Sequence, residues 1–225
     1  MIEKHDDGLW SVEHAFKASG IPLTSRMTLA KVNQQEWAII SAVPLSENLV
    51  SEINADAKVS YIIAPNNFHH LFINDAIQHW PDAEVFIPHS LTRKRPDLSK
   101  ATILASSPGA WGNDLQIRKI DGAKMLEEFL FFHAPSKSLI ITDLCFNMIN
   151  PEGFRQTLFT ILSGTRGALK TSRMIKLLFK DKAAFKASLN EILEWPFERI
   201  VVAHGEIIDT DAKAKLQESF SWVLS

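Results

Sequence analysis

Three short apolar segments, each leading to a histidine or an aspartate, constrain the fold of this chain more than any other feature. The segments and their polar residues are 61–64 with His69 and His70, 139–142 with Asp143, and 200–203 with His204. Each short apolar segment predicts a buried β-strand. Because the strands of a layered α/β sheet gather binding groups at their carboxyl ends, we expect these four side chains to meet at one edge.

The segments around these strands predict further sheet structure. Short β-prone segments at residues 27–33 and 36–43 predict an antiparallel hairpin. Ser46 is a suitable N-cap for a helix that extends to about residue 55. Pro65 favours an extended residue before it and is tolerated in a first helical turn, so the strand is predicted to change to helix there, with both following histidines in or near that turn.

The second half of the chain alternates strands and then becomes helical. Further strands are predicted at residues 84–88, 103–104, 115–120, 125–132, 139–142 and 199–203, with a solvated loop at residues 93–97. From Phe154 onward the pattern is helical: Phe154, Leu158, Ile161 and Leu162 form one apolar stripe, and a last helix is predicted at residues 211–224. This order of elements favours a layered α/β fold.

The composition is typical of one globular domain that covers residues 1–225, with 46% hydrophobic residues. The formal net charge of −2 gives no reason to expect nucleic acid or a membrane as a partner. The polar N-terminus and the single cysteine, Cys145, predict a cytoplasmic location. No apolar run approaches the roughly 20 residues that a membrane span requires.

The chemistry of the four polar residues favours a metal site. Three neutral imidazoles and one carboxylate, from His69, His70, Asp143 and His204, are a reasonable ligand set for zinc or ferrous iron with a position left for water. Adjacent helical residues point about 100° apart, so His69 and His70 can reach one metal only if the backbone is irregular there or the metal lies between them. Water bound to such a metal would be acidified toward neutrality and become a nucleophile.

Several segments together resemble the metallo-β-lactamase superfamily, and within it the branch called DUF4336. The segments that carry the resemblance are RMT at residues 26–28, APNNFHHLF at 64–72, KRPDL at 94–98, SLIITDL at 138–144 and AHG at 203–205. The resemblance implies a four-layer αββα sandwich with a metal site between its two sheets. The helices at about residues 151–197 would then be an insertion before the last strand.

The superfamily's His-x-His-x-Asp-His motif is only partly present. Laid over this chain, the motif places Pro65 and Asn67 at its first two histidines, His69 at its aspartate and His70 at its last histidine. Asp143 falls on the bridging aspartate and His204 on the late histidine, while residues 121–123 contain no histidine where the family has another. The resemblance therefore implies that one metal, not two, is held by His69, His70, Asp143 and His204.

The leading hypothesis is a mononuclear metal-dependent hydrolase that acts on a small molecule. In it, metal-bound water attacks an ester, lactone, thioester or phosphoester, and Asp143 serves as ligand and as the proton acceptor. Zinc is the favoured metal, with iron or manganese as alternatives. One competing hypothesis is a non-catalytic metal-binding or structural member of the same fold, which the exchange of the motif's aspartate for His69 favours. Another is an iron-dependent redox protein.

Each polar residue also has a structural explanation. Asp143 could cap a following turn, and His204 with the next glycine could form a turn at the end of a strand. Asn66 and Asn67 could be caps, or could orient a metal-bound water or a substrate.

Three further features have two interpretations each. Cys145 is either a small buried apolar residue or a reactive thiol. His133 lies at the far end of the hairpin that carries Asp143, about 20 Å away by strand length, so a hydrogen-bonding or surface role is predicted. The basic residues between 166 and 186 predict a solvated helix face, although such a patch can attract phosphates.

Overall fold

Two β-sheets stacked face to face form the centre of the structure. The computed structural model describes residues 1–18, 20–105, 111–123 and 125–224. The strands of the first sheet, in spatial order, are β1 (Ile2–Asp6), β2 (Leu9–Ala18), β3 (Ile21–Lys31), β4 (Glu36–Ile40), β5 (Lys58–Ile63), β6 (Glu84–Ile87) and β7 (Thr102–Ile103). β1 to β4 pair antiparallel, and β4 to β7 pair parallel.

The second sheet carries the other two predicted strand ends. Its strands in spatial order are β13 (Arg199–Val202), β10 (Ser138–Ile141), β9 (Phe129–His133) and β8 (Leu115–Lys119). β10 and β13 run parallel, so their carboxyl ends lie side by side. A small ribbon follows them, made of β11 (Phe146–Asn147) and β12 (Leu169–Lys170).

Helices cover the outer face of each sheet. On the first sheet they are α1 (Glu47–Asp56), α2 (Ile73–His79) and α3 (Leu91–Lys94); after β11 come α4 (Gly153–Ser163), α5 (Arg173–Leu178), α6 (Lys182–Glu194), α7 (Ala212–Ser219) and α8 (Ser221–Leu224). Successive strand residues point to opposite faces. Ile39 and Ile62 accordingly belong to the cluster with α1 and α2, while Ile40 and Ile63 belong to the cluster between the sheets.

Among the described residues, three buried clusters define four layers. One joins the first sheet to α1 and α2, one lies between the sheets, and one joins the second sheet to α5, α6, α7 and α8. The predicted αββα sandwich is therefore confirmed. The predicted hairpin is present as β3 and β4, and Ser46 caps α1 by accepting a hydrogen bond from Leu49 N at 3.3 Å.

Several local predictions were wrong. The helix predicted for residues 211–224 is divided into α7 and α8, which meet at Phe220. Residues 93–97, predicted as a solvated loop, contain the end of α3 and the start of a 3₁₀ turn, Pro96–Leu98. Residues 66–72 form bends and turns after β5 and α2 begins only at Ile73, so both histidines lie before the helix.

The apolar stripe of α4 faces outward. Phe154 is 79% exposed and Leu162 is 64% exposed, whereas Gln156 and Thr160 are buried. An amphipathic stripe usually faces the core. Here the helix rests on the first sheet through polar groups, since Gln156 Nε2 donates to the carbonyl oxygen of Pro22 at 3.2 Å.

Among the described helices, none has both the length and the apolar character needed to cross a lipid bilayer.

Candidate metal centre

His69 occupies an irregular segment that the side chain of Asn66 shapes. Asn66 Oδ1 accepts hydrogen bonds from the backbone N–H groups of Phe68 at 2.8 Å and His69 at 2.9 Å. This is the side-chain turn that asparagine commonly forms. Asn66 therefore forms a turn and does not cap a helix as predicted, because α2 begins only at Ile73 with Phe72 at its N-cap. The turn directs the His69 imidazole toward the ends of β10 and β13.

Three of the four predicted ligands converge at this edge. His69 Nε2 lies 3.2 Å from His204 Nε2 and 3.3 Å from Asp143 Oδ2, and His204 Nε2 lies 3.4 Å from Asp143 Oδ1. One donor atom from each residue can be chosen so that all lie within 4.8 Å of one another. All three side chains are largely buried. The parallel pairing of β10 and β13 explains why Asp143 and His204 are neighbours.

The two imidazoles are held by hydrogen bonds through their other ring nitrogens. His204 Nδ1 lies 2.6 Å from the carbonyl oxygen of Thr24, which can only accept, so Nδ1 carries a proton and Nε2 is the atom that the neutral imidazole can offer to a metal. His69 Nδ1 lies 2.6 Å from Ser41 Oγ. Ser41 has the left-handed φ of 62°, which is unusual for a residue with a side chain. Such outer partners are typical of histidines that bind metals.

Asp143 is held as a carboxylate. Burial alone would raise its pKa, but the adjacent His69 and His204 imidazoles outweigh burial and hold the pKa of Asp143 well below its usual range. Asn66 Nδ2 also donates to Asp143 Oδ2 at 2.9 Å and to Thr142 Oγ1 at 3.0 Å. Asn66 therefore both shapes the turn of His69 and orients the carboxylate of Asp143.

Glu128 lies in the core behind Asp143. Its Oε1 accepts hydrogen bonds from the backbone N and the hydroxyl of Thr142, each at 2.9 Å. Burial and the negative charge of Asp143 raise the pKa of Glu128 above its usual range. Because Thr142 precedes Asp143 directly, these bonds fix the end of β10.

The turn that carries His204 is tied down by Arg26. The buried guanidinium donates from Nη1 to the carbonyl oxygens of Val202 at 2.5 Å and Gly205 at 2.8 Å. Asn147 N donates to the carbonyl oxygen of His204 at 3.0 Å. Gly205 has a φ of 95°, and a Cβ on it would lie 2.2 Å from the carbonyl oxygen of Asn147. Only glycine allows this close approach.

His70 is not part of the cluster of three donors. Its Nδ1 lies 3.1 Å from Arg95 Nη1, and its Nε2 is buried with no hydrogen-bond partner among the described residues. Burial and the charges of Lys94 and Arg95 lower the pKa of His70 to about 4. The two adjacent histidines thus point in different directions. This is the difficulty that their neighbouring positions in the sequence raised for binding a single metal.

Asn67 and Pro65 stand where the superfamily motif has its first two histidines, and the Asn67 side chain is hydrogen-bonded within the protein. Asn67 Nδ2 donates to the carbonyl oxygen of Met125 at 2.9 Å, and Asn67 Oδ1 accepts from Ser90 Oγ at 2.7 Å. Ser90 N in turn donates to Glu127 Oε2 at 2.7 Å. Pro65 has no side-chain donor. The Asn67 amide therefore makes structural hydrogen bonds on both sides.

Two other residues have the structural roles that were predicted as alternatives. Cys145 is fully buried in the cluster beneath the second sheet, and burial raises the pKa of its thiol to about 12, which disfavours a reactive thiolate. His133 is buried, with Nε2 at 2.9 Å from the carbonyl oxygen of Lys31 and Nδ1 at 2.6 Å from Ser136 Oγ.

The three residues are close enough to hold one metal ion. Zinc bound to nitrogen and oxygen at about 2.0–2.1 Å has neighbouring ligands about 3.3 Å apart. The two separations at His69 Nε2, 3.2 Å to His204 Nε2 and 3.3 Å to Asp143 Oδ2, agree with this edge length, whereas the 3.4 Å contact of His204 Nε2 is with the other carboxylate oxygen, Oδ1. Two imidazole nitrogens and a carboxylate facing one point also favour a cation there.

Sequence reasoning missed several residues that support this site. Ser41, Thr24 and Glu128 lie in distant segments, and Arg26 was noted only as part of the family resemblance. Glu128 alone had a usable signal, because it is an acidic residue inside a strongly apolar segment. The contacts of Ser41 and Thr24 with the imidazoles arise from tertiary packing.

We expect Ser41→Ala to weaken metal binding without unfolding the protein. Removing the partner of His69 Nδ1 frees the imidazole to rotate, and the loss of such outer partners typically costs about 10- to 100-fold in metal affinity. Zinc titration by calorimetry measures the change. Ser11→Ala is the matched control, since it removes another serine contact to an imidazole, that of His5 at 2.8 Å in the same sheet. Equal affinities in the two variants would contradict a supporting role for Ser41.

Comparison with known proteins assigns the chain to a family. The profile of DUF4336, described as a domain of unknown function, matches residues 6–153. The chain belongs to the DUF4336 family. The matched residues include Ser41, Asn66, His69 and Asp143, whereas His204 lies beyond them. The comparison with curated proteins gives no match for this DUF4336 chain.

Solved structures show which fold this DUF4336 chain shares. A metallo-β-lactamase from Pontibacter korlensis is 14% identical, with a TM-score of 0.66 over 99% of this chain and 98% of that one. FIM-1 from Pseudomonas aeruginosa, in its mono-zinc form, is 10% identical, with a TM-score of 0.65 over 100% and 94%. The Flv1 flavodiiron core from Synechocystis is 11% identical, with a TM-score of 0.65 over 100% and 60%. The chain therefore has the metallo-β-lactamase fold.

Proposed function

We propose that the protein is a hydrolase that depends on one divalent metal ion held by His69, Asp143 and His204. The observation that carries the proposal is the separation of 3.2–3.4 Å between their donor atoms, together with the outer hydrogen bonds that aim both imidazoles. Zinc is the favoured metal, with iron or manganese as alternatives. His70, the fourth ligand predicted from the sequence, lies outside this group of donors and is left out of the proposed ligand set.

The hydrogen bonds around Asn67 support one metal rather than two. The amide that replaces a motif histidine is bonded on both sides within the protein, and Pro65 provides no ligand atom. A mechanism with two metals bridged by one hydroxide needs ligands for the first metal, and Pro65 and Asn67 stand where two of those ligands would be. The mono-zinc form of FIM-1 shows that a protein of this fold can hold a single zinc ion.

A bound divalent cation would supply Lewis acidity, lowering the pKa of water and polarising a carbonyl or phosphoryl oxygen. His69 and His204 would hold that cation through their Nε2 atoms. Asp143, kept ionised, can take a proton from water and pass it to the leaving group. In ester hydrolysis the oxygen of water bonds to the acyl carbon and the carbon–oxygen bond to the alcohol breaks. The products are a carboxylic acid and an alcohol.

Reconstitution tests this proposal. The purified protein is stripped of metal, reloaded with zinc, iron or manganese, and assayed on esters, lactones, thioesters and phosphoesters. We expect turnover to rise with metal content up to one ion per chain. We expect the variant Asp143→Asn to have turnover at least about 100-fold lower.

Other outcomes separate the competing functions. Failure of the native protein to bind any of these metals would overturn the proposal. Metal binding without turnover on the whole panel would indicate a binding protein. Bound iron that cycles between oxidation states, without hydrolysis, would indicate redox chemistry, for which the shared fold with a flavodiiron core provides the precedent.

A further inference from the structure

A cavity opens directly over the three donor atoms. Its volume is about 400 Å³, and His69, Asp143 and His204 all line it. Ligand pockets range from about 300 to 1,000 Å³. At about 30 Å³ for each water-sized group, the cavity has room for about a dozen non-hydrogen atoms. It is therefore large enough for a medium-sized organic molecule that reaches the metal site.

The walls of this cavity are mainly hydrocarbon, and they come from separate parts of the chain. Apolar lining residues are Phe16 and Leu23 on β2 and β3, Phe68, Leu71 and Phe72 before α2, and Phe159 on α4. The ring of Phe146 stacks on the His204 imidazole, with centroids 4.9 Å apart and planes at 10°. Apart from the three donor residues, the charged group among the described lining residues is Lys94.

The mouth of the cavity is apolar as well. Phe68 is 44% exposed and Leu71 is 69% exposed, although both line the cavity. Clustered exposed apolar side chains next to a cavity mark a place where an apolar ligand binds. A polar substrate would lose its hydration against these walls without gaining hydrogen bonds, which is unfavourable.

We propose that the substrate is an ester or thioester with an apolar acyl group, and that this group fills the cavity lined by Phe16, Phe72 and Phe159. The inference rests on the proposed hydrolase function and adds the substrate class. The carbonyl group of the substrate lies toward His69 and His204, where the metal would bind. Water supplies the oxygen of the carboxylic acid product, and the carbon–oxygen or carbon–sulfur bond breaks to release the alcohol or thiol.

Binding of the product carboxylates tests the acyl pocket without requiring turnover. Butanoate, hexanoate, octanoate and decanoate are titrated into zinc-loaded and metal-free protein by calorimetry. Burial of each added methylene should tighten binding by about fourfold until the cavity is full. Hydrolysis rates of the matching p-nitrophenyl and thiol esters, measured in parallel, should increase in the same order.

Two variants on one helix provide the specific control. Phe159→Ser should weaken decanoate binding by about 10-fold and butanoate binding much less, because a ten-carbon chain covers more of the cavity wall than a four-carbon chain does. Phe154→Ser, on the exposed face of the same helix, should change neither. Leu71→Ser, at an exposed position that tolerates polarity, should reproduce the effect of Phe159→Ser if folding complicates that variant.

The outcomes distinguish this inference from the hydrolase proposal. The apolar pocket would be overturned if the affinity for the carboxylates did not depend on their chain length, or if it depended on chain length equally in all variants. This holds even if esters are hydrolysed. Chain-length dependence without turnover of any ester, lactone, thioester or phosphoester would retain the acyl pocket and overturn the hydrolase. Both fail if the carboxylates do not bind and no ester is cleaved.

Discussion

His204→Ala is expected to abolish tight binding of a divalent metal. Loss of an outer hydrogen bond already costs about 10- to 100-fold in affinity, so loss of a direct ligand should cost more than about 100-fold. His204 Nε2 is central to the site because it lies 3.2 Å from His69 Nε2 and 3.4 Å from Asp143 Oδ1. Metal content after dialysis and zinc titration of the metal-free protein measure the loss.

Thermal unfolding gives a second readout of the same change. Zinc at about 100 times its dissociation constant should stabilise the native protein by about 2.7 kcal/mol, and this stabilisation should disappear in His204→Ala. His89→Ala, at an exposed histidine outside the site, is the control and should retain the full zinc effect. Undiminished zinc binding by His204→Ala would exclude the three-donor site.

His70→Gln decides between three and four protein ligands. Because His70 is not within the group of mutually close donors, we expect its replacement to reduce zinc affinity much less than His204→Ala does. A loss as large as that of His204→Ala would instead establish His70 as a ligand, and its Nε2, which has no hydrogen-bond partner among the described residues, would be the coordinating atom.

Gly205→Ala is expected to destabilise the protein by about 3–5 kcal/mol, at the upper end of single substitutions. Two costs combine at this position. The φ of 95° is unfavourable for alanine, and the new Cβ would lie 2.2 Å from the carbonyl oxygen of Asn147. The turn must shift to relieve the clash, and the shift carries His204 out of position. Urea unfolding of the metal-free protein measures the first effect, and zinc titration measures the second.

Gly167→Ala separates the two costs. Gly167 also has a left-handed φ, of 80°, but a Cβ there would meet no atom within 4 Å. Its replacement should therefore cost only the conformational strain, about 1–2 kcal/mol, and leave zinc affinity unchanged. Equal destabilisation of the two variants would show that the close approach to Asn147 is not important.

Much of the fold could be predicted because the relevant signals are local. Ser46 as a cap, the hairpin of β3 and β4, and the short apolar strands depend on residues near one another in sequence. The orientation of α4 could not be predicted in this way. Its apolar stripe predicts that this side of the helix is buried. Instead the opposite side faces the first sheet, where Gln156 donates a hydrogen bond to the distant Pro22 carbonyl oxygen.

The sequence by itself determined which residues could bind a metal and at which strand ends they would lie. Asp143 and His204 could be expected side by side because parallel strands of one sheet end at the same edge, whereas the approach of His69, which follows β5 of the other sheet, depends on how the two sheets stack. Tertiary structure decided which nitrogen of each imidazole faces inward, through Thr24 and Ser41, and it separated His69 from its neighbour His70. The physical reason is that a ring's orientation depends on hydrogen-bond partners and packing from distant segments, which no local pattern specifies.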